Sequence, residues 1–252
     1  MSLPRPLLPA AYRLDLRDTV GSTNDEAKAL ARDGAEAGTV VAALEQTAGR
    51  GRRGRSWSSP RGNLYASLIL RPACSAEHAA QLGFVAAIAV GEALSELAEG
   101  RAAVAYKWPN DVLTGSRKIA GILLESETGR DDRLAFLVLG VGVNLASAPS
   151  ETEFPATSFA AEGWPPPTAQ TALAALLRHF EIWAARWQQQ GFGPVREAWR
   201  ACAFALGGQI RARLETATLH GRFVDIDQQG ALLLEIGGEL RRISAGDVFP
   251  AH

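Results

Sequence analysis

The chain has 252 residues, of which 47% are hydrophobic and 21% are charged, and its net charge is -1. A chain of this length and composition can bury a substantial core, so we expect a globular protein and not a disordered one. The near-zero net charge gives no overall attraction to nucleic acid or to a membrane surface.

Two features bear on the compartment. Cys74 and Cys202 are the only cysteines and form no CxxC pair, which argues against a disulfide framework and fits a reducing compartment. No apolar run is expected to approach the roughly eighteen residues that span a bilayer, and the first residues lack a secretory signal. We therefore expect a cytoplasmic protein with no membrane partner.

The first part of the chain alternates predicted helices and strands. A first helix is predicted from Asn24, because Thr23 and Glu26 have capping-box spacing. A long alanine-rich helix is predicted between a cap at Ser75 and a stop at Gly100. The predicted strands are apolar or alternating runs at 39–45, 64–70, 103–108, 119–126 and 134–144. The last of these runs is apolar on both faces, as in a central strand that is covered on both sides.

A loop and a further helix follow. Residues 145–168 are rich in Pro, Ser and Ala and read as a loop. Apolar residues then recur at helical spacing over 173–187, and the helix is predicted to end at Gly191. The tryptophans at this spacing, Trp183 and Trp187, are predicted to belong to the core.

The C-terminal residues have a different pattern. From Gly207 onward, short alternating strands are separated by the turn signals DQQG at 227–230 and Gly-Gly at 237–238. This pattern predicts a small β-barrel appended to an α+β domain. The predicted domains are residues 1–206 and 207–252.

The segment EQTAGRGRRGRSW at 45–57 carries most of the local positive charge. Four arginines and three glycines occupy residues 49–55, and no acidic residue occurs from Gln46 to Ala76. Residues 49–57 are called the arginine loop below. Three interpretations stay open on this segment alone: a solvated basic loop, a contact with nucleic-acid phosphates, or a binding loop for a small phosphorylated or carboxylated ligand.

Common nucleotide-binding motifs do not decide among these interpretations. The pattern GxxxxGK[ST] is absent, which excludes a P-loop. The segment GVGVNL at 140–145 has Leu145 where the dinucleotide-binding fingerprint needs its third glycine, so we reject a Rossmann site.

Polar residues in apolar surroundings are further candidates. Strand alternation predicts that Lys118 shares a face with Ala120 and Ile122, either at the strand mouth with its amine in water or aimed at a bound anion. Four further polar residues lie near Pro109 or at a strand end, and each of them could contact a ligand or could simply form a hydrogen bond to the nearby backbone. These residues are Lys107, Asn110, Asp111 and Asn144.

Six segments together resemble the biotin protein ligases in order and approximate spacing. They are GSTN at 21–24, EQTAGRGRRGRSW at 45–57, SPRGNLYASL at 59–68, KWPNDV at 107–112, RKIAGILLE at 117–125 and GVGVN at 140–144. The resemblance runs from Gly21 to the C-terminus. It implies an α+β fold with a central mixed β-sheet and flanking helices, similar to class II aminoacyl-tRNA synthetases, plus a small Src-homology-3-like β-barrel. SPRGNLY departs from the pattern at Arg61, where many members carry an apolar residue.

The resemblance implies an ATP-dependent biotin--[acetyl-CoA-carboxylase] ligase. Such an enzyme makes biotinyl-5'-AMP and pyrophosphate from biotin and ATP with Mg²⁺, and then transfers biotin to one lysine of a biotin carboxyl carrier domain. Only twenty residues precede GSTN, too few for the winged helix-turn-helix of some members, so we expect no nucleic-acid partner.

The alternatives from other classes are a lipoate or octanoate ligase of related fold and a non-catalytic RNA-binding protein that uses the basic loop. The complete arginine loop and KWPND favour biotin. No resident metal site is predicted, and a homodimer is left open.

The resemblance also implies roles for individual residues. The urea end of biotin would be bound by Ser22, Thr23, Asn24 and Gln46, and its rings would lie on Ala120 and Gly121. The carboxylate and phosphate would be bordered by Arg50, Gly51, Arg52 and Lys118. ATP or the adenylate would contact Arg53, Trp57, Lys107, Asn110 and Asn144. The predicted catalytic residues are Lys118, Arg52 and Asp111, with Asp111 placed to receive the carrier lysine.

Overall fold

A computed structural model describes residues 8–129 and 133–251, and a seven-stranded mixed sheet forms its centre. The strands are β1 (Arg13–Val20), β2 (Thr39–Gln46), β3 (Leu64–Leu70), β4 (Val104–Lys107), β5 (Asp111–Thr114), β6 (Arg117–Thr128) and β7 (Leu134–Val143). They lie side by side in the order β1-β2-β3-β7-β6-β5-β4. β1 and β2 are parallel, and the other neighbours are antiparallel.

Helices cover both faces of this sheet. They are α1 (Thr23–Arg32), α2 (Ala76–Ala79), α3 (Leu82–Leu97), α4 (Ala169–Gln190) and α5 (Phe192–Ala201). The main core lies between the sheet and the paired helices α3 and α4, and it includes Trp183 and Trp187 as predicted. A smaller core lies under α1 on the opposite face, around Ala27, Val41 and Val138. The helix α1 is thereby fixed over β2, β3 and β7, next to the pocket described below.

The C-terminal residues form a second sheet of five antiparallel strands. These are β8 (Gln209–Arg213), β9 (Thr218–Ile226), β10 (Leu232–Ile236), β11 (Glu239–Ile243) and β12 (Asp247–Pro250), in the order β11-β10-β9-β8-β12. Gly237 and Gly238 both have positive φ between β10 and β11, as the hairpin prediction requires. The predicted fold class is confirmed, and the domain boundary at 206/207 stays a prediction.

Three elements were missed in the sequence. In the edge strand β1, Leu14 and Leu16 are exposed while the charged Arg17 is half-buried, and β5 has only four residues, so neither gives a clear strand pattern. α5 has Pro194 in its first turn, where proline is tolerated because the missing N–H has no helical partner. In each of the three elements, the run of residues was too short, or its polar and apolar residues too irregularly spaced, to predict a helix or strand.

The start of the first helix differs from the prediction. Ser22, and not Thr23, is the N-cap residue, and no side chain caps the helix. The Thr23 hydroxyl instead lies 3.1 Å from Oε1 of Gln46. The predicted capping box is therefore wrong, because Thr23 bonds across to β2.

The predicted alanine-rich helix is divided into α2 and α3. Ser75 caps α2, accepting a bond of 3.3 Å from the backbone N–H of His78. The segment Ala76–Leu97 has 22 residues, and an apolar window of 18 residues within it has a mean hydropathy of 1.3, so the segment could cross a membrane by length and composition. The prediction that no run approaches this length is wrong. In the fold, 72% of that apolar window is buried, as in a core helix of a globular protein.

Candidate active site

A cavity of about 540 Å³ opens on the α1 side of the central sheet, between the arginine loop, the residues 149–156 and β12. Its volume lies in the range of small-molecule sites. Residues from five of the six motifs line it. Every predicted site residue lines this cavity except Ala120 and Arg53.

One end of the cavity is built from neutral amide and hydroxyl groups. The Gln46 Oε1 atom accepts from the backbone N–H of Thr23 at 2.8 Å, and its Nε2 donates to Ser59 at 2.9 Å. The Ser67 hydroxyl donates to Oδ1 of Asn24 at 2.6 Å. With Ser22, Thr23 and Asn24 all buried, this end offers fixed polar partners without a net charge of its own.

Three glycines of the central sheet lie at the bottom of the cavity, directly beneath the side chains of Trp57 and Asn24. Gly121 of β6 and Gly142 of β7 are paired neighbours, and Gly140 lies two residues before Gly142. We call these three residues the glycine floor. A Cβ atom at Gly142 would lie 2.7 Å from the Trp57 ring, and one at Gly140 would lie 2.2 Å from the Asn24 side chain. The glycines of GVGVN are therefore required by close approach of Trp57 and Asn24 to the sheet.

Trp57 lies flat against this floor beneath the arginine loop. A Cβ atom at Gly121 would come within 3.0 Å of its ring. Its Nε1 is buried without a hydrogen-bond partner in the described part of the chain. An unpaired buried indole N–H costs free energy, which suits a residue that meets a ligand at this place.

A β-bulge places Lys118 on the cavity side of the sheet. Val112 pairs with Ala120 but Leu113 pairs with Lys118, so Ile119 is an extra residue in β6. The bulge reverses the alternation, so Lys118 shares a face with Gly121 and not with Ala120. The predicted face of Lys118 is therefore wrong.

Ala120 is fully buried in the main core below the sheet, and its predicted place against the biotin rings is wrong. Gly121 alone of that pair faces the cavity.

Two lysines enclose a buried carboxylate beside the floor. The Asp111 carboxylate lies 2.5 Å from Nζ of Lys118 and 3.0 Å from Nζ of Lys107. We call these residues the lysine cluster. Burial alone would raise the pKa of Asp111, but the two ammonium groups outweigh it and lower the pKa to about 2. Such a carboxylate is a weak base, which favours orienting an incoming amine over removing its proton.

Aromatic side chains complete the surroundings of Lys107. Its Nζ lies 4.8 Å from the ring of Phe154 and 5.6 Å from the ring of Phe249 in β12. Only 4% of the Lys107 side chain is exposed. The cation–π contacts and the ion pair with Asp111 together compensate the lost hydration of the Lys107 ammonium group. Lys107 therefore stabilises the negative charge of the buried Asp111.

The arginine loop is a short hairpin. Gly51 N–H donates to Arg55 O at 2.7 Å, and Trp57 N–H donates to Gly49 O at 2.8 Å. The chain reverses at Arg53 and Gly54, which have φ of 55° and 71°. The left-handed turn is easy for glycine and strained for Arg53.

Three of the four loop arginines have carboxylate partners from distant elements. Arg50 donates to Asp25 of α1 at 2.7 Å, which lowers the pKa of Asp25 to about 2. Arg55 and Arg53 lie 2.8 Å and 3.6 Å from Asp247 of β12. The loop is therefore not a bare basic surface, and its pairing counts against a nucleic-acid contact. Arg53 pairs with Asp247 of the C-terminal sheet and does not line the cavity, and its contact with ATP stays a prediction.

Arg52 differs from the other loop arginines. Its Nη1 donates to the backbone oxygen of Gly246 at 3.1 Å. Within residues 8–129 and 133–251, no carboxylate lies within ion-pair distance of it. Burial lowers the pKa of its guanidinium, which nevertheless stays protonated. Arg52 therefore brings to the cavity wall a guanidinium whose charge is not held in an ion pair.

The asparagines at the cavity wall also hold the backbone. Asn110 Nδ2 donates to Ile122 O at 2.6 Å, and Asn144 Nδ2 donates to Thr157 O at 3.0 Å. The alternative of a backbone hydrogen bond is therefore present for both residues, and their contact with adenosine stays a prediction. Arg61 lies outside the cavity, 2.6 Å from Asp18, so this departure from the family pattern does not reshape the site.

Several residues of the site were not found from the sequence. They are Asp25, Ser59, Ser67, Glu125, Phe154, Asp247 and Phe249. Ser67 had a usable signal, since it is a polar residue inside an apolar strand. Asp25 and Asp247 had none, because only the tertiary fold brings acidic residues next to a loop that lacks its own.

Comparisons with known proteins agree with this geometry. A model of the "Biotin/lipoate A/B protein ligase family" matches residues 17–144, and one of the "Biotin protein ligase C terminal domain" matches residues 205–249. The chain is 44% identical over 233 residues to a biotin--[acetyl-CoA-carboxylase] ligase of Paracoccus denitrificans, covering 90% of this chain and 96% of the relative.

Solved structures of the same kind share the fold. The biotin protein ligase of Aquifex aeolicus in complex with biotin and ATP has a TM-score of 0.79 and 27% identity, covering 94% of this chain and 97% of that one. The ligase of Leishmania major in complex with biotinyl-5-AMP has a TM-score of 0.64 and 29% identity, covering 92% and 99%. Fold and pocket thus define a protein ligase of the biotin and lipoate class. The chain belongs to the biotin protein ligase family.

Proposed function

We propose that this chain activates biotin with ATP to biotinyl-5'-AMP and then transfers biotin to a lysine of a biotin carboxyl carrier domain. One observation carries this proposal. A single cavity holds a neutral amide and hydroxyl end, a middle part where Trp57 packs on the glycine floor, and a cationic end formed by Arg50, Arg52 and Lys118. Biotin has the matching parts in the same order: a cyclic urea, fused rings and a carboxylate.

In the first step, a carboxylate oxygen of biotin attacks the α-phosphorus of ATP, and pyrophosphate leaves. Two anions must approach each other, and fixed cations in a partly buried site stabilise the charge on the phosphoryl oxygens. We assign this role to Arg52 and Lys118, which line the cationic end of the cavity. The Mg²⁺ that accompanies ATP would arrive with the nucleotide and neutralise part of the phosphate charge.

In the second step, the amine of the carrier lysine attacks the acyl carbon, and AMP leaves. The amine must be neutral to attack, and its pKa in a free lysine is near 10.4. Asp111 lies in the cavity wall and carries negative charge at neutral pH because its pKa is about 2. It can therefore orient the amine, while the proton leaves to solvent or to phosphate.

The relatives support the choice of substrates. The Aquifex aeolicus structure contains biotin and ATP, and the Leishmania major structure contains biotinyl-5-AMP. The partner that we propose is the carrier domain of a biotin-dependent carboxylase, with no nucleic-acid partner. We also propose a cytoplasmic location, supported by two free cysteines. A homodimer stays a prediction.

The test is biotin-dependent exchange of pyrophosphate into ATP, followed by transfer of labelled biotin to a carrier domain. Both reactions are expected with biotin and Mg²⁺. Exchange that responds to lipoate or octanoate and not to biotin would point to the related ligases. No exchange with any of the three acids would reject the proposed activation.

A further inference from the structure

The C-terminal sheet presents one strand to the cavity. In β12, Asp247 and Phe249 lie two residues apart and therefore on the same face. Phe249 lines the cavity and lies near Lys107. Gly246, just before the strand, accepts the hydrogen bond from Arg52. The C-terminal sheet therefore contacts both the lysine cluster, through Phe249, and the arginine loop, through Gly246.

Asp247 is a buried carboxylate whose partners come from the arginine loop. Only 6% of its side chain is exposed. Arg55 donates to Oδ1 at 2.8 Å, and Arg53 lies 3.6 Å from Oδ2. The third neighbour is Arg213 of β8 at 3.7 Å, which also pairs with Glu153. The closest contact of this carboxylate is thus to the loop and not to its own sheet.

The charges explain why such a contact is needed. The loop carries four arginines without an acidic residue of its own, so its charges repel one another when it folds into a hairpin. A buried carboxylate is costly to desolvate unless it is paired, so Asp247 and the loop stabilise each other. Because Arg53 and Arg55 are held by Asp247, the hairpin is fixed with Arg52 at the cavity wall.

We propose that Asp247 is a positioning residue that holds the arginine loop folded over the cavity and keeps Arg52 directed at the reacting groups. The inference rests on the proposed function. Asp247 binds two of the four loop arginines and Asp25 binds another, so that Arg52 is left for the ligand.

The first test does not depend on activity. Trypsin cleaves after arginine, so it reports directly on exposure of the loop backbone at residues 50–55. Without ligands, Asp247→Asn should be cleaved there about tenfold faster than the unchanged protein, since a charge-assisted contact to the loop is lost. Glu235→Gln is the matched control, because it removes a carboxylate that pairs with Arg222 on the same sheet away from the loop.

The second test uses pyrophosphate exchange. In Asp247→Asn, KM for ATP should rise about tenfold while kcat changes less than about threefold, because Arg52 is present but poorly held. Asp247→Glu should recover most of the loss, since it keeps the charge. Glu235→Gln should match the unchanged protein in both parameters.

A further variant covers the case in which Asp247→Asn does not fold. Arg55→Gln alters an exposed side chain and removes the closest partner of Asp247. It should raise KM and speed cleavage at the remaining loop sites, after residues 50, 52 and 53, to a smaller extent. Cleavage and KM that equal those of Glu235→Gln in both variants would overturn the proposal. Failure of the unchanged protein to exchange pyrophosphate would reject the proposed function, whereas the cleavage test would still decide whether Asp247 holds the loop.

Discussion

The cavity carries positive charge in two different ways. In the lysine cluster, Lys107, Asp111 and Lys118 all lie on or beside neighbouring strands, and the central carboxylate is buried between the two amines. In the arginine loop, the charges lie on a hairpin, and the carboxylates come from α1 and β12. Strands fix the first set by backbone pairing, while the second depends on ion pairs between elements distant in the chain. The difference suggests a rigid part that sets geometry and an adjustable part that closes over the ligand.

The largest expected effect comes from the rigid part. Lys118→Met should lower biotin-dependent pyrophosphate exchange about 10³-fold, because the side chain is fixed beside Asp111 at the point where phosphate charge must be stabilised. The assay is initial exchange rate at saturating biotin and ATP. A variant that keeps a tenth or more of the rate would show that the cluster is not the main source of stabilisation.

The pH dependence of the unfolding free energy should distinguish the lysine cluster from the arginine loop. The folded pKa of Asp111 is about 2, below its ordinary value of 3.8, so its contribution is complete above about pH 4 and is lost as the pH falls toward about 2. The shift corresponds to about 2 kcal/mol of unfolding free energy. Urea unfolding between pH 6 and 2.5 should show a weaker acid dependence in Asp111→Asn than in the unchanged protein.

Asp25→Asn is the matched comparison for that experiment. The pKa of Asp25 is also about 2, mainly because Arg50 donates to it, but half of its side chain is exposed. Solvent therefore screens its contribution. An acid dependence in Asp25→Asn as weak as that in Asp111→Asn would mean that the loop pair is as strong as the buried cluster.

A smaller effect is expected in the adjustable part. Arg52→Ala should release the adenylate about tenfold faster, since one hydrogen-bonding cation at the cavity wall is lost. Free biotinyl-AMP would appear in solution in a filter assay. Retention equal to that of the unchanged protein would remove Arg52 from the set of ligand-binding groups.

No effect is expected from an arginine of the same basic stretch that lies outside the cavity. Arg61 is exposed and pairs with Asp18 and Glu45. Arg61→Ala should keep the exchange rate and the urea midpoint, because exposed ion pairs contribute little. A clear loss of exchange would show that the active region extends beyond the cavity described above.

The sequence was sufficient for much of this site because its residues lie in short motifs at characteristic spacing. The buried strands and the helices with clear periodicity were predictable, as were most of the residues that line the cavity. The side of the sheet taken by Lys118 was not, because the bulge at Ile119 leaves no signal in an apolar run. The partners of the loop were not predictable either, since Asp25 and Asp247 become neighbours of the arginines only after folding.

The glycine floor has a consequence for what the protein can accept. At Gly121, Gly140 and Gly142 the sheet omits the side chains that would otherwise fill the space above it. The Trp57 ring and the Asn24 side chain occupy that space, so the three glycines set how close these two side chains lie to the sheet and how much of the cavity above them stays open. A single added methyl at Gly142 would make the cavity shallower by lifting the indole of Trp57 and would leave the strand pairing intact. The glycines of the sheet therefore help to determine the shape of the ligand that the cavity accepts.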